Sequence, residues 1–242
     1  MISDEVKLIV KNLQKIGICV IEDYFSESEC DECVLDIDRC MVEFYNKVQR
    51  HQEVQEGNDG DERIFKIENQ SNLASKLAQD EFILEIGRYF YNNFPCETFQ
   101  VLGQRLIFDS KYNRGSGGGW HIDSKTKPQL KALVYLTDVG KDNGVYMFLP
   151  DSFDLDLELR KNDPKKRITR FTDESVEKCG IEPFVVIGKK GTLILVDTSH
   201  VHRGAIIKQG KRYSLTSYIH RSIEKDKQKF KQKWGDWYVP KK

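Results

Sequence analysis

Gly191-Thr192-Leu193-Ile194-Leu195-Val196-Asp197-Thr198-Ser199-His200-Val201-His202-Arg203-Gly204 joins a short apolar run to a polar segment carrying two histidines. Four aliphatic residues in succession, bounded by Gly191 and by Asp197-Thr198-Ser199, are too few for a stable helix and read as a buried β-strand. Val201–Ile207 reads as the following strand. Lys208-Gln209-Gly210-Lys211 then reads as a hairpin turn into a strand over Arg212–Ile219.

The same character extends outward on the N-terminal side. Thr98–Ser110, Lys131–Thr137, Val145–Leu149 and Phe184–Ile187 are further short strand candidates, and the second and third are linked by Gly140-Lys141-Asp142-Asn143-Gly144. Many short strands separated by turn signals predict a sandwich or jelly roll. Residues 152–178 break the pattern with a charged stretch containing Asp163-Pro164-Lys165-Lys166-Arg167, expected to be an inserted loop or lid. Upstream of Pro95 the periodicity is helical. Residues 3–16 form an amphipathic pattern ended by Gly17, Ser26–Val48 opens with the capping pair Ser26 and Glu29, and Ser71–Phe94 spaces Leu73, Leu77, Ile83, Ile86 and Phe90 along one face. Ile18–Ile21 is a short strand, and His51–Glu62, rich in Gly, Asn and acids, is expected to be a loop. The class is therefore mainly β with packed helices (α+β). One domain is expected over 1–242, with helical support at 1–97, a β core at 98–220 and a tail at 221–242.

Composition narrows the function classes. The 242 residues carry 38 Lys and Arg against 38 Asp and Glu, so global charge gives no argument for nucleic acid or an anionic membrane as partner. No apolar run is long enough to span a bilayer, and Asp4 and Glu5 stand where a signal peptide would be positive. A cytoplasmic location is expected, with the six cysteines as reduced thiols. Cys30 and Cys33 share a helix face and are expected to pack rather than to bind zinc. The tail 221–242 is basic, with a net charge of about +5, and is expected to be a solvated helix that packs Phe230, Trp234 and Trp237 on the core.

The chemistry-bearing residues lie in two distant segments, Trp120-His121-Ile122-Asp123 and His202-Arg203-Gly204. In extended backbone His121 and Asp123 point to one side and Ile122 to the other. Two histidines and a carboxylate are the donor set of the facial triad that holds Fe(II) with open positions. His200 rivals His202 for the third place, since both share strand parity; His202 stands directly before Arg203-Gly204 and is preferred. Arg212 opens the last strand, with Ser214 on the same face. A guanidinium binds a carboxylate through two parallel hydrogen bonds, so Arg212 and Ser214 read as a carboxylate clamp beside the metal.

These residues, with Leu133–Gly144, Phe148-Leu149-Pro150-Asp151-Ser152, Gly191–Asp197 and Gly210–Thr216, resemble the Fe(II)/2-oxoglutarate-dependent dioxygenases, nearest the phytanoyl-CoA dioxygenase-like branch. The resemblance covers roughly residues 98–220. It implies a double-stranded β-helix (jelly roll, cupin-like) with N-terminal helices, Fe(II) on His121, Asp123 and His202, and 2-oxoglutarate with its distal carboxylate on Arg212 and Ser214. It places Gln104 and Tyr135 near positions that line the co-substrate. The implied reaction consumes O2, releases succinate and CO2, and hydroxylates an unactivated C–H bond of a small metabolite or a sugar- or lipid-linked intermediate. Halogenating relatives lack the carboxylate that Asp123 supplies, which favours hydroxylation. Relatives often carry Pro-Gly-Ser-His where this chain has Pro150-Asp151-Ser152-Phe153, so the substrate is not carried over. Trp120 and the 152–178 lid are candidates for substrate contact, and Lys165, Lys166, Arg167 and Arg170 would suit an anionic one. The competing readings are a non-catalytic cupin-like module that binds a metal or a sugar, which would not need Arg212, and a protein hydroxylase.

Overall fold

The computed structural model describes residues 2–51, 58–108, 116, 118–123, 128–150, 152 and 169–242, and among them ten strands form two antiparallel sheets. The strands are β1 (Ile18–Ile21), β2 (Gln49–His51), β3 (Asn58–Phe65), β4 (Cys96–Ile107), β5 (Leu130–Tyr135), β6 (Tyr146–Phe148), β7 (Phe184–Val186), β8 (Leu193–Asp197), β9 (His202–Gly204) and β10 (Lys211–Arg221). The large sheet runs β1-β8-β5-β10-β4-β3-β2 and the small one β7-β6-β9. This is the mainly β architecture with packed helices that the strand pattern predicts, in the double-stranded β-helix form that the resemblance implies.

The helices are α1 (Asp4–Ile16), α2 (Glu27–Glu43), α3 (Asn72–Ala78), α4 (Glu81–Phe90), α5 (Asp173–Glu177) and α6 (Glu224–Trp234). α2 starts at a capping box: Ser26 Oγ accepts from the Glu29 backbone N–H, and Glu29 Oε2 accepts from that of Ser26. No helix is long and apolar enough to cross a membrane among the described residues.

The apolar run in β8 is explained by burial on both faces. Leu193 and Leu195 face the helical layer with Leu13, Ile37, Leu77 and Ile86, whereas Ile194 and Val196 face the small sheet with Tyr146, Phe148 and Val186. Cys30, Cys33 and Cys40 lie in the helical core, and no disulfide links the cysteines.

Several expectations are corrected. The helix expected over 71–94 is two, because the Asp80 carboxylate accepts from the Ile83 backbone N–H at 3.1 Å and caps α4 after a break at Gln79. Part of the loop expected at 51–62 is β3, held by pairing to β4 from Asp61↔Leu106 to Phe65↔Leu102. Residues 208–211 do not close a hairpin: β9 belongs to the small sheet and β10 to the large one, so 205–210 crosses between sheets. The same holds for β5 and β6. Turn residues report a reversal of direction but not which sheet receives the next strand. The N-terminal part, expected as helical support, also supplies β1, β2 and β3. Of the lid expected over 152–178, residues 153–168, with Lys165, Lys166 and Arg167, lie outside the described residues, as does Asp151 before it.

Candidate metal and co-substrate site

His121 and His202 are opposed across the chain and exchange both backbone hydrogen bonds, at 3.0 and 2.9 Å. Asp123 is fixed one step on, its N–H donating to the Thr198 carbonyl at 2.9 Å. This pairing delivers three side chains from two segments 80 residues apart to one point.

Both imidazoles are oriented by their distal nitrogen. His121 Nδ1–H donates to the Gly119 carbonyl at 2.9 Å and His202 Nδ1–H to the His200 carbonyl at 2.8 Å. A carbonyl can only accept, so each Nε2 keeps its lone pair for a metal. The Nε2 atoms lie 3.8 and 3.5 Å from the Asp123 carboxylate oxygens, and the three donor atoms fall within 4.8 Å of one another. Donors each about 2 Å from a shared ion stand about 3–4 Å apart, and the two imidazole–carboxylate distances fall in that range. Burial, then the neighbouring His202, pushes the His121 pKa well below its usual value, which keeps its ring neutral. Burial opposes ionisation of Asp123, yet the Lys131 ammonium holds its carboxyl well below the ordinary range. Lys131 Nζ donates to Asp123 Oδ2 at 2.7 Å.

Beside the triad is a cavity of about 290 Å³, walled by inward-facing residues of the large sheet. Period-two alternation puts Arg212, Ser214, Thr216 and Tyr218 of β10 on this face, with Gln104 of β4, Lys131 of β5 and Arg63 of β3 next to them. Arg212 is 3% exposed. Its Nη2 donates to Gln104 Oε1 at 2.9 Å, and its Nη1 donates to the Gly144 carbonyl. Nε has no hydrogen-bond partner among the described residues. Gly204 lets the guanidinium approach the chain, since a Cβ there would stand 3.2 Å from Nη1 and 2.7 Å from the Ser116 Cβ. A buried cation with an orphaned donor is costly unless an anion completes it. The residues present thus fit both a divalent metal and a carboxylate ligand.

His121, Asp123 and His202 converge. Arg212 and Gln104 line the same cavity, and Ser214 Oγ donates to Gln104 Oε1 at 3.3 Å. Tyr135 pairs with Ser214 and shares this face of the large sheet, but it is not among the residues that line the cavity. It is fully buried between the sheets, its hydroxyl donating to the Val186 carbonyl at 2.9 Å and accepting from the Tyr146 N–H at 3.0 Å. His200 lies in a turn before β9, where strand parity does not apply, and packs on Phe148. Trp120 is buried with Ile122 and Phe171 and carries the Arg203 guanidinium 4.5 Å over its ring, so it supports the triad from behind. Arg170 lines the cavity. Sequence reasoning missed Lys131, Arg63 and Asp61. The available signal for Lys131 was a single charge in an otherwise apolar strand, whereas Asp61 and Arg63 lie in a strand polar over most of its length, where no charge stands out.

The model of a known family, described as phytanoyl-CoA dioxygenase, matches residues 13–208 of this chain. No curated protein matches the sequence. Solved structures of similar fold include the epimerase SnoN in complex with Fe3+, alpha-ketoglutarate and nogalamycin RO, at TM-score 0.69 and 16% identity over 90% of this chain and 84% of that one. HygX from Streptomyces hygroscopicus, with nickel and 2-oxoglutarate bound, aligns at TM-score 0.64 and 17% identity over 92% and 89%. EctD from S. alaskensis, with 2-oxoglutarate and 5-hydroxyectoine, aligns at TM-score 0.65 and 18% identity over 90% and 76%.

Proposed function

The chain belongs to the phytanoyl-CoA dioxygenase family, and from that premise we propose that it is an Fe(II)- and 2-oxoglutarate-dependent oxygenase that hydroxylates a C–H bond of a small molecule. The observation that carries this reading is the buried, incompletely satisfied Arg212 guanidinium on the wall of the cavity that also holds the two histidines and the carboxylate. A module that only bound a metal or a sugar would have no use for it.

His121 Nε2, Asp123 and His202 Nε2 would hold the iron, and Arg212 would take the distal carboxylate of 2-oxoglutarate. When bound, the pair supplies O2 activation, with 2-oxoglutarate leaving as succinate and CO2. Three protein donors leave positions open for a chelating co-substrate and O2. The backbone carbonyls of Gly119 and His200 hold the imidazoles in the metal-binding tautomer. Lys131 keeps one Asp123 oxygen occupied, which leaves the other for the metal. Gly144 and Gln104 aim the guanidinium before the co-substrate arrives, so little reorganisation is needed on binding.

The test is succinate formation from 2-oxoglutarate by the purified chain with Fe(II) and O2. Turnover in the wild type, lost in His202→Ala and strongly impaired in Arg212→Ala at low 2-oxoglutarate, is the expected result. No turnover in any metal-loaded preparation, together with 2-oxoglutarate binding unaffected by Arg212→Ala, would sink the reading.

A further inference from the structure

The C-terminal helix α6 follows the region matched by the family model, and it does not simply pack on the outside of the core. Its residues Phe230, Lys233 and Trp234 line the same cavity as the metal-binding triad. Aromatic contacts fix them there. Phe230 sits 5.5 Å from the Phe99 ring and 5.7 Å from that of Tyr218, and Trp234 stacks on Phe65 at 4.8 Å. The chain beyond the helix is tied down by Val239 N–H donating to the Phe65 carbonyl and by Asn69 and Gln70 donating to the carbonyls of residues 239 and 240.

On the other side of Phe230 is a second cavity of about 330 Å³. The two share Asp123, Gln129, Phe230 and Lys233, so α6 stands where they meet and the metal-binding carboxylate faces both. Charge across this pair of cavities is one-sided. Among the described residues, seven lysines and arginines line them against two carboxylates, Asp123 and Asp226, with Asp61 behind Arg63. The inner cations have tasks already: Lys131 is paired with Asp123, Arg63 with Asp61, and Arg212 with the co-substrate. At the junction, Lys233 makes no ion pair among the described residues; its Nζ lies 4.6 Å over the Trp234 ring. Lys229, one turn earlier, lines the second cavity. Fe(II) and doubly ionised 2-oxoglutarate add no net charge, so the excess positive charge remains for a third species. A cleft lined by one sign of charge concentrates ligands of the other.

Resting on the oxygenase reading, we propose that α6 is the substrate-binding wall and that Lys233 docks a carboxylate or phosphate group of an anionic small-molecule substrate. The apolar body of that substrate lies on Phe230 in the second cavity, and its reactive carbon points past Phe230 toward the metal.

Calorimetric titration of the full chain loaded with Ni(II) and 2-oxoglutarate, so that Arg212 is already occupied, tests this with four probes: phenyl phosphate, phenylacetate, benzyl alcohol and benzylamine. At least one anion is expected to bind about tenfold or more tightly than the alcohol, with the amine weakest. Which anion binds better identifies the docking group. Lys233→Gln is expected to weaken that anion about tenfold. Lys233→Arg should retain it, and Lys225→Gln, on the exposed part of the same helix, should leave it unchanged. Equal affinity for anions and alcohol, or wild-type anion binding by Lys233→Gln, overturns the proposal. The visible charge-transfer band of the Fe(II)–2-oxoglutarate chelate is recorded on the same proteins. The band with no anion preference removes the substrate inference alone, and its absence from the wild type removes the oxygenase reading and this inference with it.

Discussion

Gln104 turns the two ends of its amide in opposite directions: Oε1 accepts from Arg212 and Ser214, while Nε2 donates to Asp61 Oδ1 at 2.6 Å and to Ser116 Oγ at 2.7 Å. An ionised carboxylate can only accept, so Asp61 decides which way the amide faces. Arg63 holds Asp61 in place through two hydrogen bonds, at 3.0 and 2.6 Å. Asn at 61 could present either a donor or an acceptor, and the demand on Gln104 would lapse. Asp61→Asn is therefore expected to raise the KM for 2-oxoglutarate about tenfold while kcat changes little. Steady-state succinate kinetics would show this, and a matched loss of kcat with unchanged KM would mean that Asp61 serves only the fold. At this scale the candidate metal donors and Arg212 were legible, because ligand chemistry restricts residue type and spacing. Asp61 was not: its importance lies in contact with Gln104, 43 residues away.

Among the elements, α2 and α6 make separate predictions. The Ser26–Glu29 box satisfies N–H groups that would otherwise be unpaired at the start of α2. Ser26→Ala should lower stability by about 1 kcal/mol, read as a shift in the urea midpoint with unchanged m. Docking of α6 has a pH limit set by His220 of β10. Its ring lies 4.8 Å from that of Phe99 and 5.4 Å from that of Phe230, with Gln129 at its Nε2. Burial, reinforced by the nearby Lys131, pushes its pKa from 6.5 down to about 4. The unfolded chain therefore takes up this proton first. The contribution of neutral His220 is complete above about pH 6.5 and is lost as pH falls to about 4. An NMR titration of His220 with a midpoint near 4, and a flatter acid limb of stability in His220→Gln, are the expected results. A midpoint near 6.5 would mean that the ring is solvated and that α6 does not cover it. Helix starts such as Ser26 were legible because capping is local. The break at Asp80 and the strand at 58–65 were not, since the first competes with an unbroken apolar stripe and the second exists only through β4.

Across the whole molecule, the site joins the two sheets. His202 comes from the small sheet and Arg212, Ser214 and Gln104 from the large one, while His121 and Asp123 lie on the segment between β4 and β5. A metal with its chelated co-substrate would bind the folded chain alone and connect these parts. Ni(II) and 2-oxoglutarate together should raise the thermal midpoint more than either does singly, by about 2.7 kcal/mol of stability at one hundred times the dissociation constant. Arg212→Ala should remove the 2-oxoglutarate increment and keep that of the metal. A thermal scan in which 2-oxoglutarate adds nothing to the metal-loaded wild type would contradict this arrangement.

Residue type and short-range spacing were enough for the strand-rich class and to single out the three candidate donors and the candidate guanidinium, because alternation along a strand and the valence of a metal are local constraints. Tertiary structure decided which sheet each strand enters, and so sent 205–210 across the molecule instead of through a hairpin. It placed Tyr135 in the core and Lys131 on Asp123. It also turned the basic tail into a wall of the cavity. These outcomes depend on contacts between residues far apart in sequence, whose energies come from burial and charge pairing that exist only once the sheets have closed.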